Sequence, residues 1–174
     1  PYSVAQYALE KRLPEDFLVN DCRLQTRKDK QGVTYLYIPY FSEEGKEVTY
    51  RKRYAGKQFR WKYGAGKDIC PYGVWKIEDV RRAGYAVLVE GESDSQSMWH
   101  MGISTLGVPG ASMMRKEWAD ILQDLKIYIH VEPDKGGETF LHKVVTALRE
   151  GNFVGKVYTW SCKNLGCKDP SDVY

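Results

Sequence analysis

Glu132 and Asp134 stand one residue apart in "EPDKGGETF", directly after the apolar run "IYIHV" and before the helix-like "LHKVVTALREG". If the extended backbone persists through Pro133, both carboxylates point to one side, because side chains along a strand alternate with a period of two. So placed, they can grip one divalent cation or two adjacent ones. Gly136 and Gly137 would then let backbone N–H groups approach a phosphate, and the following helix adds its positive N-terminal end. Taken alone, the stretch reads better as a capped turn with exposed acids.

Two further stretches change that balance. In "VLVEGESD" Glu90 leaves the end of an apolar run, Gly91 makes the tight turn, and Asp94 falls at the start of the next helix. An N-cap role explains Asp94 as well as metal binding does. Glu90, directly after a buried strand, needs solvent, a partner or a cation. The third stretch, "KDPSD", carries Asp169 and Asp172 after the strand-like "KVYTW" and by itself is a common turn. Three strand ends of one small α/β unit thus deliver carboxylates, and the strand ends of an open parallel sheet converge on one rim. Acids clustered without matching cations repel one another, which metal ions relieve. Oxygen-only ligands select hard ions, Mg²⁺ above all with Mn²⁺ as a substitute, and such ions usually meet phosphate. The chemistry implied is phosphoryl transfer.

The elements that position these acids follow from periodicity. "SVAQYALEKR", with Ser3 as candidate N-cap, and "PEDFLVN", opened by Pro14, read as two short helices. "VTYLYIPY" and "EVTYRKRY" flank the turn-like "FSEEGK" and predict a hairpin, with "QFRWKY" as a third strand. "IEDVRRAG" is a helix closed by Gly84. From Ala86 onward short apolar runs alternate with helical segments such as "DSQSMWHMG", "RKEWADILQDL" and "GETFLHKVVTALREG", the pattern of βαβ units around a mostly parallel sheet. The expected organisation is a small basic α+β subdomain over residues 1–85 and an α/β domain over residues 86–174. Charge divides the same way. Residues 1–85 carry 17 Lys or Arg against 11 Asp or Glu, and residues 86–174 carry 9 against 12, so the first part suits a polyanion and the second suits cations.

"VEGESD", "EPDKGG" and "KDPSD", in that order and spacing, resemble the Toprim domain of DnaG-type primases, which type IA and type II topoisomerases and some nucleases share. The likeness runs over residues 86–172, about half of the 174-residue chain. Glu132 stands where the family usually has Asp. The stretches "IPYFSEEGKEVTYRKRY" and "YSVAQYALEKRLPEDFL" are similar to the basic subdomain that precedes Toprim in phage- and plasmid-borne primase-like proteins. The resemblance implies Mg²⁺ held by Glu90, Glu132 and Asp134 as the catalytic acids, with Asp94, Asp169 and Asp172 in support and Gly91, Gly136 and Gly137 near phosphate. It implies primer synthesis from NTPs on single-stranded DNA, beside a replicative helicase or helicase domain. A cytoplasmic location is expected separately, because "PYSVAQYALEKRLPEDF" lacks the charged-then-apolar order of a signal peptide. A Toprim module that binds DNA inside a helicase without synthesis, and a Toprim nuclease, are the rival readings.

The basic stretch "YRKRYAGKQFRWKYGAGK" has an independent reading. Arg51, Lys52, Arg53, Lys57, Arg60, Lys62 and Lys67 alternate with aromatics including Trp61, and no acid interrupts them. Cations neutralise phosphates and aromatic faces stack on bases, the combination used for single strands. A twisted hairpin with core aromatics and a solvated basic face fits the same residues. "GAGKD" lacks the Ser or Thr of a P-loop, since Asp68 follows Lys67. His100, His130 and His142 have no ligand spacing, and Cys22, Cys70, Cys162 and Cys167 are too scattered for a zinc module or a disulfide framework. No apolar run approaches the roughly 20 residues of a membrane span.

Overall fold

Ser3 opens the first helix with a reciprocal cap: its hydroxyl accepts from the Gln6 N–H, while the Gln6 side chain accepts from the Ser3 N–H at 3.0 Å. The computed structural model describes residues 1–173, with backbone alone at Lys57, Asn164, Leu165 and Val173. Helix α1 (Val4–Lys11) is followed by α2 (Glu15–Asn20), which starts after Pro14. Four antiparallel strands come next in the order β1-β2-β3-β4: β1 (Gln25–Lys28), β2 (Thr34–Phe41), β3 (Glu47–Tyr54) and β4 (Gln58–Trp61). Three of these were legible from residue type. β1, the polar "QTRK", was not, because it exists only by pairing along β2, with Gln25 opposite Tyr37 and Lys28 opposite Thr34.

The second unit is built on a parallel sheet of order β6-β5-β7-β8. Its strands are β5 (Tyr85–Glu90), β6 (Thr105–Val108), β7 (Lys126–His130) and β8 (Val157–Trp160). The helices α3 (Ile77–Ala83), α4 (Glu92–His100), α5 (Lys135–Glu150) and α6 (Pro170–Val173) connect or flank them. Ala86 to Val89 and the Ile127/Ile129 pair are buried, as expected of strands covered on both faces. Helix α5 turns Phe140, Val144, Ala147 and Leu148 inward at helical spacing.

Two expectations need correction. The chain divides after Cys70, earlier than the expected boundary at 85/86. Tyr72 pairs with Gly107 of β6 through backbone bonds of 2.7 and 2.8 Å, and its ring stacks on Trp99 of α4, so the segment before β5 belongs with the parallel sheet. "RKEWADILQDL" forms a 3₁₀ helix over Lys116–Leu122 rather than an α-helix. Its backbone presses on the end of α5, where a Cβ at Gly151 would lie 2.3 Å from the Lys116 carbonyl oxygen. No helix of the described residues is long and apolar enough to cross a membrane.

Candidate functional site

Strand β5 hands its last residue, Glu90, to a turn that only glycine takes easily: Gly91 has φ 90° and ψ −179°. The Gly91 N–H donates to the Val108 carbonyl at 2.7 Å and its own carbonyl accepts from Ser95 Oγ at 2.9 Å. Gly91 therefore spends its amide inside the fold instead of facing a phosphate. Gly91 is also the cap of α4, which leaves Asp94 inside the first turn and 3% exposed. The N-cap reading of Asp94 does not hold.

Strand β7 ends at His130 and the chain bends at Pro133 and Asp134, so the extended run expected through Pro133 is interrupted, although Asp134 itself has φ −141° and ψ 179°. Asp134 Oδ1 accepts the Gly137 N–H at 3.0 Å and so caps α5. The Gly136 and Gly137 amides, expected beside a phosphate, turn to this carboxylate and hold it below the usual Asp range, with the Lys168 ammonium adding to the effect. The turn is tight enough that a Cβ at Gly137 would lie 2.1 Å from the Glu132 carbonyl oxygen.

After β8, Asp169 Oδ1 accepts from Ser171 Oγ at 2.7 Å and from the Asp172 N–H at 3.1 Å, which opens α6. Asp172 is exposed, and its Oδ2 accepts the Lys168 N–H at 3.3 Å.

The three strand ends meet. Asp94, Glu132 and Asp169 each bring a carboxylate oxygen into a group whose members all lie within 4.8 Å of one another. Glu90, Asp134 and Asp172 stand outside that triad. Glu90 is half-buried, and its pKa rises through burial first and the charge of Glu132 second, against a hydrogen bond from the Ala111 N–H. The cation that residue types alone did not single out is Lys168. Its Nζ lies 2.9 Å from Glu132 Oε2 and 3.0 Å from Asp134 Oδ2. Hydrogen bonds to Glu132 and then Asp134 push its pKa up. Its signal was a lysine directly before the acids of "KDPSD". Beside these acids runs a groove of about 500 Å³ lined by Glu132, Asp134, Lys135, Glu138 and Lys163 among others.

The basic residues of the first unit separate into two sets. Arg53 is 5% exposed, donates to Glu10 at 2.6 Å and lies near the rings of Tyr2, Tyr7 and Phe59, so it is a structural cation and unavailable to phosphate. Arg51 is half-buried over the rings of Phe59 and Trp61, its cross-strand neighbour. Lys52 lies over Tyr35, and Arg60 is exposed near Tyr54. Trp61 packs on Tyr40, while Lys62 and Lys67 are exposed. The side chain of Lys57 falls outside the described residues. Arg27 of β1, which periodicity did not point to, stacks 3.4 Å above the Tyr37 ring. The four cysteines are free thiols, and burial, with Cys167 adding, pushes Cys162 up to about 11.

A four-stranded parallel sheet with carboxylates gathered at the ends of β5, β7 and β8 is a Toprim-type α/β unit, here preceded by an antiparallel basic unit. The chain has the fold of the DnaG-type primase catalytic core. The E. coli primase catalytic core superposes with a TM-score of 0.73 at 12% identity, covering 97% of this chain and 67% of that one. The primase fragment of the bacteriophage T7 primase-helicase protein gives 0.70 at 17% identity, covering 94% and 66%. A DnaG primase catalytic domain bound to single-stranded DNA gives 0.66 at 11% identity, covering 97% and 66%. Among curated sequences, the DNA primase DnaG of Thermofilum pendens is 27% identical over 85 residues, 47% of this chain and 20% of the relative. The match thus spans a fifth of that relative's length. No protein-family profile matches the chain.

Proposed function

We propose that the chain is the RNA-polymerising core of a DnaG-type primase, which joins NTPs into short primers on single-stranded DNA with Mg²⁺, or Mn²⁺ in its place. The observation that carries this reading is the convergence of Asp94, Glu132 and Asp169 from three strand ends. Their donor set fits a hard divalent cation: all ligand atoms are carboxylate oxygens, and the burial of Asp94 makes an uncompensated cluster costly. A bound ion would neutralise phosphate charge as a nucleotide 3′-hydroxyl attacks the α-phosphate of an incoming NTP and pyrophosphate leaves.

The chain's own residues orient and hold. Asp169 presents one oxygen to the triad while its helix cap fixes the carboxylate, and Asp134, tied to the α5 terminus, stiffens the arm that carries Glu132. Glu90, at the end of β5, has its pKa raised by burial first and by the charge of Glu132 second, which suits the part in proton transfer proposed for it. Lys52, Arg60, Lys62 and Lys67 supply the cations that follow a single-stranded backbone, with Arg51 and Trp61 beside them. A replicative helicase or helicase domain is the proposed partner, by analogy with the T7 primase-helicase.

The test is incubation with labelled NTPs, unlabelled single-stranded DNA and Mn²⁺. Short labelled RNA is the expected product, and the Glu132→Ala, Asp134→Ala double variant should make none. Synthesis undiminished in that variant would refute the assignment, and a degraded template with no RNA would point to a nuclease. The ion pairs of Lys168 with Glu132 and Asp134 favour a second reading, a module that binds single strands without synthesis. That module would bind DNA equally in EDTA and in Mg²⁺ and yield no RNA.

A further inference from the structure

Glu132 serves two masters. One of its oxygens, Oε2, pairs with Lys168 Nζ at 2.9 Å, and the same carboxylate belongs to the triad with Asp94 and Asp169. Lys168 also holds Asp134 at 3.0 Å, and its main chain leads directly into Asp169. An ammonium between two carboxylates relieves the repulsion of a clustered acidic rim in the absence of a metal. Near a divalent cation the same charge would be repulsive.

Building on the metal reading above, we propose that Lys168 is a built-in counter-cation that competes with the divalent ion for Glu132 and so sets the ion concentration at which the site fills. The lysine suits this exchange. Its side chain is 55% exposed, so the ammonium can swing into water on its flexible stem while Asp172 keeps the Lys168 backbone in place. A brace with a purely structural role makes the opposite prediction, since its removal would loosen the arm carrying Glu132 and weaken ion binding.

Calorimetric titration of Mn²⁺ into the full chain, beside thermal melts in EDTA, tests the idea. Lys168→Met should melt lower than wild type in EDTA, bind Mn²⁺ about tenfold tighter, and gain more melting temperature on saturation. Lys168→Arg, which keeps the charge, should stay close to wild type. If the Met variant does not fold in EDTA, Lys168→Gln keeps a hydrogen-bond donor without charge and should also bind tighter. Equal or weaker Mn²⁺ binding by the uncharged variants, with binding intact in wild type, overturns the counter-cation role and leaves the metal site standing. Absence of Mn²⁺ binding in wild type and variants alike overturns the metal reading, and this proposal with it.

Discussion

Arg53 of β3 donates to Glu10 of α1 at 2.6 Å, with the arginine side chain 6% exposed and the glutamate 37%. The pair ties the first helix to the antiparallel sheet, and Tyr2, which also donates to Glu10, lies near the guanidinium. A buried cation so placed stabilises the fold only while its partner is ionised.

That condition gives a pH dependence. Burial raises the Glu10 pKa, but the Tyr2 hydroxyl, Arg53 and Lys11 together outweigh it, so the carboxyl ends below its ordinary value of 4.5. A group depressed in the folded state stabilises above its unfolded pKa, and that stabilisation is lost as pH falls through the folded value. Glu10→Gln should therefore cost about 1 kcal/mol at neutral pH, a figure reduced for the solvent screening of a partly exposed partner. Urea denaturation of both proteins across the acid range should show the gap closing below the ordinary Glu pKa. A gap that stays constant would place the stabilisation elsewhere.

The two sets of cations in the first unit should separate in binding. Arg60→Ala and Lys62→Ala are each expected to weaken single-stranded DNA binding regardless of sequence, and to reduce the slope of log K against log salt by about 0.7. Arg53→Ala should lower the melting temperature and leave that slope unchanged in the folded fraction. Fluorescence anisotropy at several salt concentrations checks both. Unchanged slopes for Arg60→Ala and Lys62→Ala would remove these residues from the interface.

Gly137→Ala should damage the acidic rim from behind. The added Cβ meets the Glu132 backbone, with its carbonyl oxygen at 2.1 Å and its nitrogen at 2.7 Å, so the segment carrying Glu132 must shift. A loss of about 2 kcal/mol is expected, with weaker Mn²⁺ binding. Gly136→Ala, whose nearest neighbour is Asp134 Oδ1 at 3.0 Å, should be milder. Thermal melts in EDTA and Mn²⁺ titrations of the two variants rank them, and an equal effect would contradict the role given to the Gly137 contact.

Local signals carried most of the architecture. The Ser3 cap, the closure of α3 at Gly84 in a left-handed conformation and the apolar runs of β5 and β7 depend on neighbouring residues, and residue type read them correctly. The 3₁₀ helix at Lys116–Leu122 and the strand Gln25–Lys28 escaped, because packing on Gly151 and pairing along β2 decided them.

By itself the sequence determined that acids follow three strands of one α/β unit and that a cationic, aromatic stretch precedes it. Period and residue type suffice for that, since both act over a few neighbouring positions. Which acids share a triad, that Lys168 reaches Glu132 and Asp134, and that Arg53 is spent on Glu10 were decided only in three dimensions. The partners in each case lie on separate segments, and only the order of strands in the sheet and the burial of each side chain set their distances and their charges.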